Sequence, residues 1–501
     1  MNRLNLFSRA ALAAALSLAA AAPACAQASR TAVAHGDLPA GAAGTLGRAV
    51  IDAINSPDDD AVARLLDEKR SAGAQQPRDE MLAYLRGIRE QGGGVTVGAS
   101  RVTPRGSLVA ELWARRVDAG VEVAIFPDPA DSARLQRIAI NRPLRRGAGL
   151  RPFPAERMDD ARIAQLIESE VRRMADADQF SGVVLVGKGD QVIFQGTYGY
   201  EHPATRNPVT TRTRFHIASQ GKMFTSIAIA QLVEQGRLSL DDTVGELLPG
   251  QPWTEQARRV TVRQLLSHMG GLGGLFDRPS YPEGRIFRTA TERLAIFAAE
   301  PLLFAPGARW SYSNEGFETL AAIIEAKTGT PFNQHILQHV LRRAGMTTAL
   351  PDAPADSLAD RAIPSPHAED DYFGVRTRTT ASRGWNAGGA GGGHASAHDM
   401  FRFARAVVAG RLVSRAMVDT LTAPRHVRSP DRPAYAYGFE TRQVNGRTVF
   451  GHGGGGPRGV AICTDLDIFA DGSWTVVVMS NYDAPMCGIV KESITAMLAV
   501  N

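Results

Sequence analysis

Residues 215–224 read FHIASQGKMF, and an apolar run, MFTSIAIAQLV, follows without a break over residues 223–233. A polar approach therefore turns into a helix that is apolar on nearly every face, which places it in a core. The expected span runs from about Ser219 to Gln235, with Gly236 as its stop. Ser219 and Lys222 then share one face of the first turn at i and i+3. A lysine there is hard to hydrate, so it is paired or its pKa falls until it acts as a neutral base. Beside a hydroxyl at a helix start, where backbone N–H groups favour an oxyanion, such an amine is placed to take the proton of Ser219. S-x-x-K alone fits an N-cap serine and a snorkelling surface lysine equally well, so context decides.

Upstream, MDDARIAQLIESEVRRMAD has helical spacing, and SGVVLVG and QVIFQGTYGY form a hairpin pattern around Lys188-Gly189-Asp190. Downstream, GVAICTDLDIF and WTVVVMSNY flank a turn at Ala470-Asp471-Gly472-Ser473, and the chain finishes on the helical pattern MCGIVKESITAMLAV. Strands near both ends with helices between them predict an α+β unit over residues 159–501. Its antiparallel sheet is closed by both ends of the unit, flanked by helices, and carries an all-helical lobe inserted over residues 236–445.

Pro, Gly and Arg gather without periodicity in NRPLRRGAGLRPFPAER, residues 141–157, which marks a linker placed at 143–158. Before it, residues 27–142 show helical spacing and then four stretches alternating at period two, a small accessory α+β domain. Its element order faintly resembles the cone-shaped NTF2-like domains. Residues 1–26 have a basic head (Arg3, Arg9), an Ala/Leu run and small residues around Cys25, the pattern of an export signal cut after about Ala26. Lipidation at Cys25 is the rival reading, disfavoured by the approach Ala22-Pro23-Ala24. The expected location is periplasmic or secreted.

A chain of 501 residues, 44% hydrophobic and 21% charged, belongs with folded water-soluble proteins of more than one domain. Removing the signal takes away two arginines and no acids, so the formal charge falls from +5 to +3, too mild to argue for nucleic acid. No later run is long enough for a stable membrane span. Cys463 and Cys487 remain, on a strand pattern and a helix pattern, in a compartment that permits a disulfide; a pair and two buried thiols both fit.

Two further stretches carry chemistry. FAPGARWSYSNEGFETLAAIIEAKTG sets Tyr312-Ser313-Asn314 on a turn before a helix, and GHGGGGPRGVAICTDLDIF sets His452-Gly453-Gly454 where a glycine-rich stretch enters a strand and backbone can approach a ligand. With SQGK at 219, YSN at 312 and HGG at 452 in this order, the chain from about residue 160 resembles the serine β-lactamase and penicillin-binding superfamily. The branch is that of class C β-lactamases, D-alanyl-D-alanine carboxypeptidases and related esterases. VTVRQLLSHMGGL at 260, RRAGM at 342 and AGGGHASAHDM at 390 look like the same family. Lys327-Thr328-Gly329 ends a helix and is set aside as a decoy.

The resemblance implies that Ser219 is acylated, with Lys222 and Tyr312 sharing its proton. Asn314, His452 and Gly454 would bind substrate, and the backbone N–H groups of Ser219 and Gly455 would form the oxyanion hole. No cofactor or metal is implied. The partner it implies is a small ester, amide or peptide, cell-wall fragments among them. Penicillin-processing relatives have lysine at the position of His452 and threonine at that of Gly453. Losing a fixed charge and a hydroxyl there turns the expectation from β-lactams toward esters or D-amino-acid-type amides. β-Lactamase or D-alanyl-D-alanine carboxypeptidase activity is the alternative within the enzyme class. A catalytically silent receptor for cell-wall fragments is the alternative outside it, and the presence of Ser219, Lys222, Tyr312 and Asn314 together speaks against it.

Other polar pairs have bland readings. His335 with His339, and His394 with His398, are spaced for one helical turn but lack the glutamate and third ligand of a zinc protease. His268 reads as a turn residue. Thr261 with Gln264, and Ser396 with Asp399, read as capping boxes.

Overall fold

The computed structural model describes residues 37–501 except 75, 105, 117–118, 145–149, 203–204, 274–286, 352–359, 366–387, 428–431 and 457–459. The expected export signal and Cys25 lie outside the described residues. So do most of GLFDRPSYPEGRIFRTA, residues 274–290, and of residues 350–386, two long polar stretches whose sequence is expected to help choose the substrate.

Three helices, α1 (Ala42–Asn55), α2 (Ala61–Lys69) and α3 (Arg78–Gly92), precede an antiparallel meander. Its strands β1 (Val95–Val102), β2 (Leu108–Ala114), β3 (Gly120–Pro127) and β4 (Leu135–Leu144) pair in chain order. Alternate residues Val121, Val123 and Ile125 share a core with Leu46, Val50, Ile54 and Leu85, so this α+β region buries apolar surface of its own. β4 continues to Leu144, with Pro143 opposite Val121, which takes the first residues of the expected linker into the sheet. A residue without N–H is tolerated there because β4 is an edge. Residues 150–159 then carry neither helix nor strand.

The second unit opens with α4 (Asp160–Asp176), capped by the Asp159 carboxylate, which accepts from Arg162 N–H. The hairpin β5 (Gly182–Lys188) and β6 (Gln191–Tyr198) turns at Gly189, whose φ of 56° is left-handed. The buried helix is α5 (Gly221–Glu234), and the helix after the tyrosine turn is α6 (Asn314–Thr328). A third long helix, α7 (Ala397–Val408), leads toward the strands β7 (Ala434–Tyr435), β8 (Glu440–Val444), β9 (Arg447–Gly455), β10 (Cys463–Phe469) and β11 (Trp474–Ser480). Helix α8 (Met486–Leu498) follows.

Seven strands form one antiparallel sheet in the order β7-β8-β9-β10-β11-β5-β6. The late strand β11 pairs with the early strand β5, Val477 opposite Leu185, so both ends of the unit meet mid-sheet. Both faces are covered. Val184, Val186, Val476 and Val478 face α4 and α8, whereas Val183, Leu185, Val477 and Met479 face α5 and the helical lobe. That two-sided burial is why VVLV and TVVVM are unbroken apolar runs.

The expected helical lobe is shorter than 236–445. Its last helix is Arg415–Thr422, and β7 and β8 then join the sheet with Tyr435, Phe439 and Thr441 buried. Cys463 and Cys487 are free buried thiols: Cys487 N–H donates to Cys463 Sγ at 2.9 Å, and Cys487 Sγ donates to Cys463 O at 2.7 Å. No helix among the described residues is long and apolar enough to cross a membrane.

Candidate active site

Ser219 lies in a tight turn, Ala218–Gln220, that runs straight into α5. Ala218 holds φ at 45°, a costly region for a residue with a Cβ, so the surroundings must impose it. They do so through two glycine-rich stretches. A Cβ on Gly391 would stand 2.3 Å from Ala218 O and 3.1 Å from Ser219 N, and one on Gly454 would stand 2.3 Å from Ile217 O. Gln220 Nε2 donates to His452 O at 3.2 Å, and Thr464 Oγ1 to Ile217 O at 3.3 Å, tying the turn to β9 and β10.

Lys222 is wholly buried in the first turn of α5. Its Nζ lies 3.2 Å from Ser219 Oγ and 2.8 Å from Asn314 Oδ1, and donates to Ala390 O. Tyr312 OH lies 2.8 Å from the same Ser219 Oγ. The structure thus brings Ser219, Lys222, Tyr312 and Asn314 together. Burial outweighs the opposing pull of Glu318 and then Glu315 and leaves the Lys222 amine lowered to about 7. A neutral amine that gives its two N–H groups to Asn314 Oδ1 and Ala390 O keeps its lone pair for the third neighbour, the Ser219 hydroxyl.

Tyr312 and Asn314 converge because Ser313, between them, caps α6: its Oγ accepts from Gly316 N at 2.9 Å. Ser313 N in turn donates to Nδ1 of His268 at 3.1 Å. His268 is the turn residue expected, with φ at 61°, and its ring also packs 4.3 Å from that of Tyr312 and 4.4 Å from that of Tyr435.

His452 is buried on β9. Its Nδ1 faces Gly453 O, which can only accept, so Nδ1 carries a proton, and Nε2 lies 3.2 Å from Tyr435 OH. The side-chain position of Gly453 faces the opposite side of the sheet, 3.0 Å from Asp465 Oδ1. A hydroxyl at 453 would point there, toward Asp465. β8 stops pairing at Glu440 opposite Gly451, so among the described residues the β9 backbone from His452 to Gly455 has no strand on that side.

Sequence reasoning missed Ala390, Glu318, Arg293 and Tyr435. Ala390 acts through a carbonyl that every residue has, and only its place in a glycine run marks it. The other polar pairs are structural. Lys327-Thr328-Gly329 ends α6 with Gly329 left-handed. Thr261/Gln264 and Ser396/Asp399 are capping boxes. His335 and His339 stack at 4.4 Å, but His394 lies on a two-residue strand beside His216, so it does not share a helix with His398, which reaches Gln195 at 2.8 Å.

The chain matches the Beta-lactamase family over residues 166–492. It is 27% identical to penicillin-binding protein 4* of Bacillus subtilis (strain 168) over 327 residues, 62% of this chain and 69% of that protein. It is 27% identical to the D-aminopeptidase of Brucella anthropi over 277 residues, 54% of this chain and 51% of that one, so it spans about half of that relative. Its fold is similar to that of a penicillin binding protein from Bacillus halodurans, with TM-score 0.55 and 27% identity over 68% of this chain and 98% of the other. The matched residues contain the sheet, the lobe and all three motifs; from α4 onward, this chain belongs to the β-lactamase family.

Proposed function

We propose that the chain is an exported serine hydrolase that forms an acyl-enzyme on Ser219 and acts on esters or D-amino-acid-type amides and peptides. The observation that carries the reading is the convergence of Lys222 Nζ and Tyr312 OH on Ser219 Oγ, at 3.2 and 2.8 Å, with the amine buried. Ser219 Oγ attacks the carbonyl carbon as its proton passes to Lys222 Nζ, directly or through Tyr312. The oxyanion is received by the N–H groups of Ser219 and Gly455. Collapse breaks the bond to the alcohol or amine, which leaves with that proton. Water then attacks the acyl carbon, gives a proton to the same pair, and frees the acid and Ser219.

Asn314 orients the amine and, with Gly454, lines the acyl site. The ring of His452, turned to Tyr435 and Gly453 O, supplies no fixed charge for a substrate carboxylate. That favours esters and D-residue amides over β-lactams, and the likeness to a D-aminopeptidase supports the same class. Export is supported by the basic head and Ala/Leu run of residues 1–26.

The test is turnover of nitrophenyl esters of rising chain length, D-alanyl peptides and nitrocefin by wild type and Ser219→Ala. Wild type should turn over esters or D-peptides faster than nitrocefin and show an acyl mass adduct, both lost in the variant. Equal turnover by Ser219→Ala in a clean preparation would sink the reading. A stable adduct without turnover would mean a receptor.

A further inference from the structure

Behind the catalytic lysine lies a buried ion pair. Arg293 NH1 meets Glu318 Oε2 at 2.9 Å, with only 8% and 6% of their side chains exposed. Such a pair adds little net stability over apolar residues of the same volume, so its use is to be sought in what it holds. The Glu318 carboxylate accepts from Gly389 N and Ala390 N, both at 3.2 Å. Ala390 is the residue whose carbonyl accepts a hydrogen bond from Lys222 Nζ, and Thr225 Oγ1 fixes the same loop by donating to Gly389 O at 2.8 Å. No side chain fits between loop and pair: a Cβ on Gly388 would fall 1.6 Å from Arg293 NH1. Glu318 lies one turn beyond Asn314 on α6, so one helix supplies the lysine's direct acceptor and the carboxylate that fixes the loop bearing its other acceptor.

We propose that Glu318, held by Arg293, is a positioning residue that aims the Ala390 carbonyl at Lys222 and thereby fixes the amine against Ser219. The groups that face Lys222 are Ser219 from its own turn, Tyr312, Asn314, Glu315 and Glu318 from α6 and its approach, and Ala390 O from the glycine run. Of the carboxylates, Glu318 acts most strongly on the amine, and Arg293 is paired with Glu318. The assignment rests on the proposed function for its kinetic readout but has a second readout independent of turnover.

Lysines are few in this arginine-rich chain, so labelling lysine with 13C at Cε resolves Lys222 by NMR. Wild type, Glu318→Gln and the double variant Arg293→Met/Glu318→Gln are compared by this titration and by kcat/KM for a nitrophenyl ester between pH 5 and 9. Both variants should titrate Lys222 at lower pH, because the negative group that favours its charged form is gone. Their kcat/KM plateau should fall about 10- to 100-fold through misplacement of the amine. If Glu318→Gln fails to fold, the double variant, which leaves no buried charge unpaired, carries the test. A folded variant with unchanged Lys222 titration and plateau overturns the assignment. If wild type turns over no ester, the proposed function fails instead, and the titration alone decides.

Discussion

Asn314 Oδ1 accepts from Lys222 Nζ at 2.8 Å, closer than the 3.2 Å that separates the amine from Ser219 Oγ. The asparagine is therefore one handle on the amine's charge, beside Ala390 O and Glu318. With the amine pulled down to about 7, ester hydrolysis should rise with pH through neutrality as Lys222 loses its proton. Asn314→Asp puts a negative charge at the same atom, favours the ammonium and should move that acid limb to higher pH. Superimposable kcat/KM profiles for the two proteins would show that Lys222 is not the base.

Tyr312 is 38% exposed, so its phenol serves the site more than the core. Tyr312→Phe should lower kcat/KM about 10²- to 10⁴-fold and leave the melting temperature nearly unchanged. A small kinetic loss would leave the proton to Lys222 alone.

Gly391 has φ of +141°, and a Cβ there would press on the Ala218–Ser219 peptide bond, 2.7 Å from Ala218 C and 3.1 Å from Ser219 N. Gly391→Ala must push that turn away. It should cost about 1–3 kcal/mol of stability and most of the turnover, read by denaturant unfolding and ester hydrolysis. A variant with wild-type activity would show that the turn tolerates displacement.

Beneath β10, Lys491 Nζ pairs with Asp465 at 3.0 Å and lies 3.6 Å from Asp467, with Lys491 and Asp467 buried and Asp465 partly so. Lys491→Met strands Asp465 and should destabilise by about 3–5 kcal/mol, seen as a lower urea midpoint. Adding Asp465→Asn should recover much of it, and failure of that rescue would mean that lysine packing, not its charge, matters.

What could be read from the residues was what local chemistry carries. The hairpin at Gly189, the apolar helix with Ser219 and Lys222, the turn before α6 and both capping boxes are written in adjacent positions. The partners that tune the lysine are not adjacent. Arg293 and Glu318 are 25 residues apart, and Ala390 is 168 from Lys222. β7 and β8 were hidden because their short alternation looks like the end of a lobe until the sheet beside them is seen. The neighbour of the His452 ring, Tyr435, lies 17 positions away, where the motif alone does not show it.

β5 is hydrogen-bonded to β11, Val184 against Val478, across nearly 300 positions of chain. Such pairings are slow to find during folding. The ribosome must deliver the last strand before the sheet that backs Ser219 can close, so a nascent or truncated polypeptide that stops before Trp474 holds Ser219, Lys222 and Tyr312 without the sheet that sets them in place.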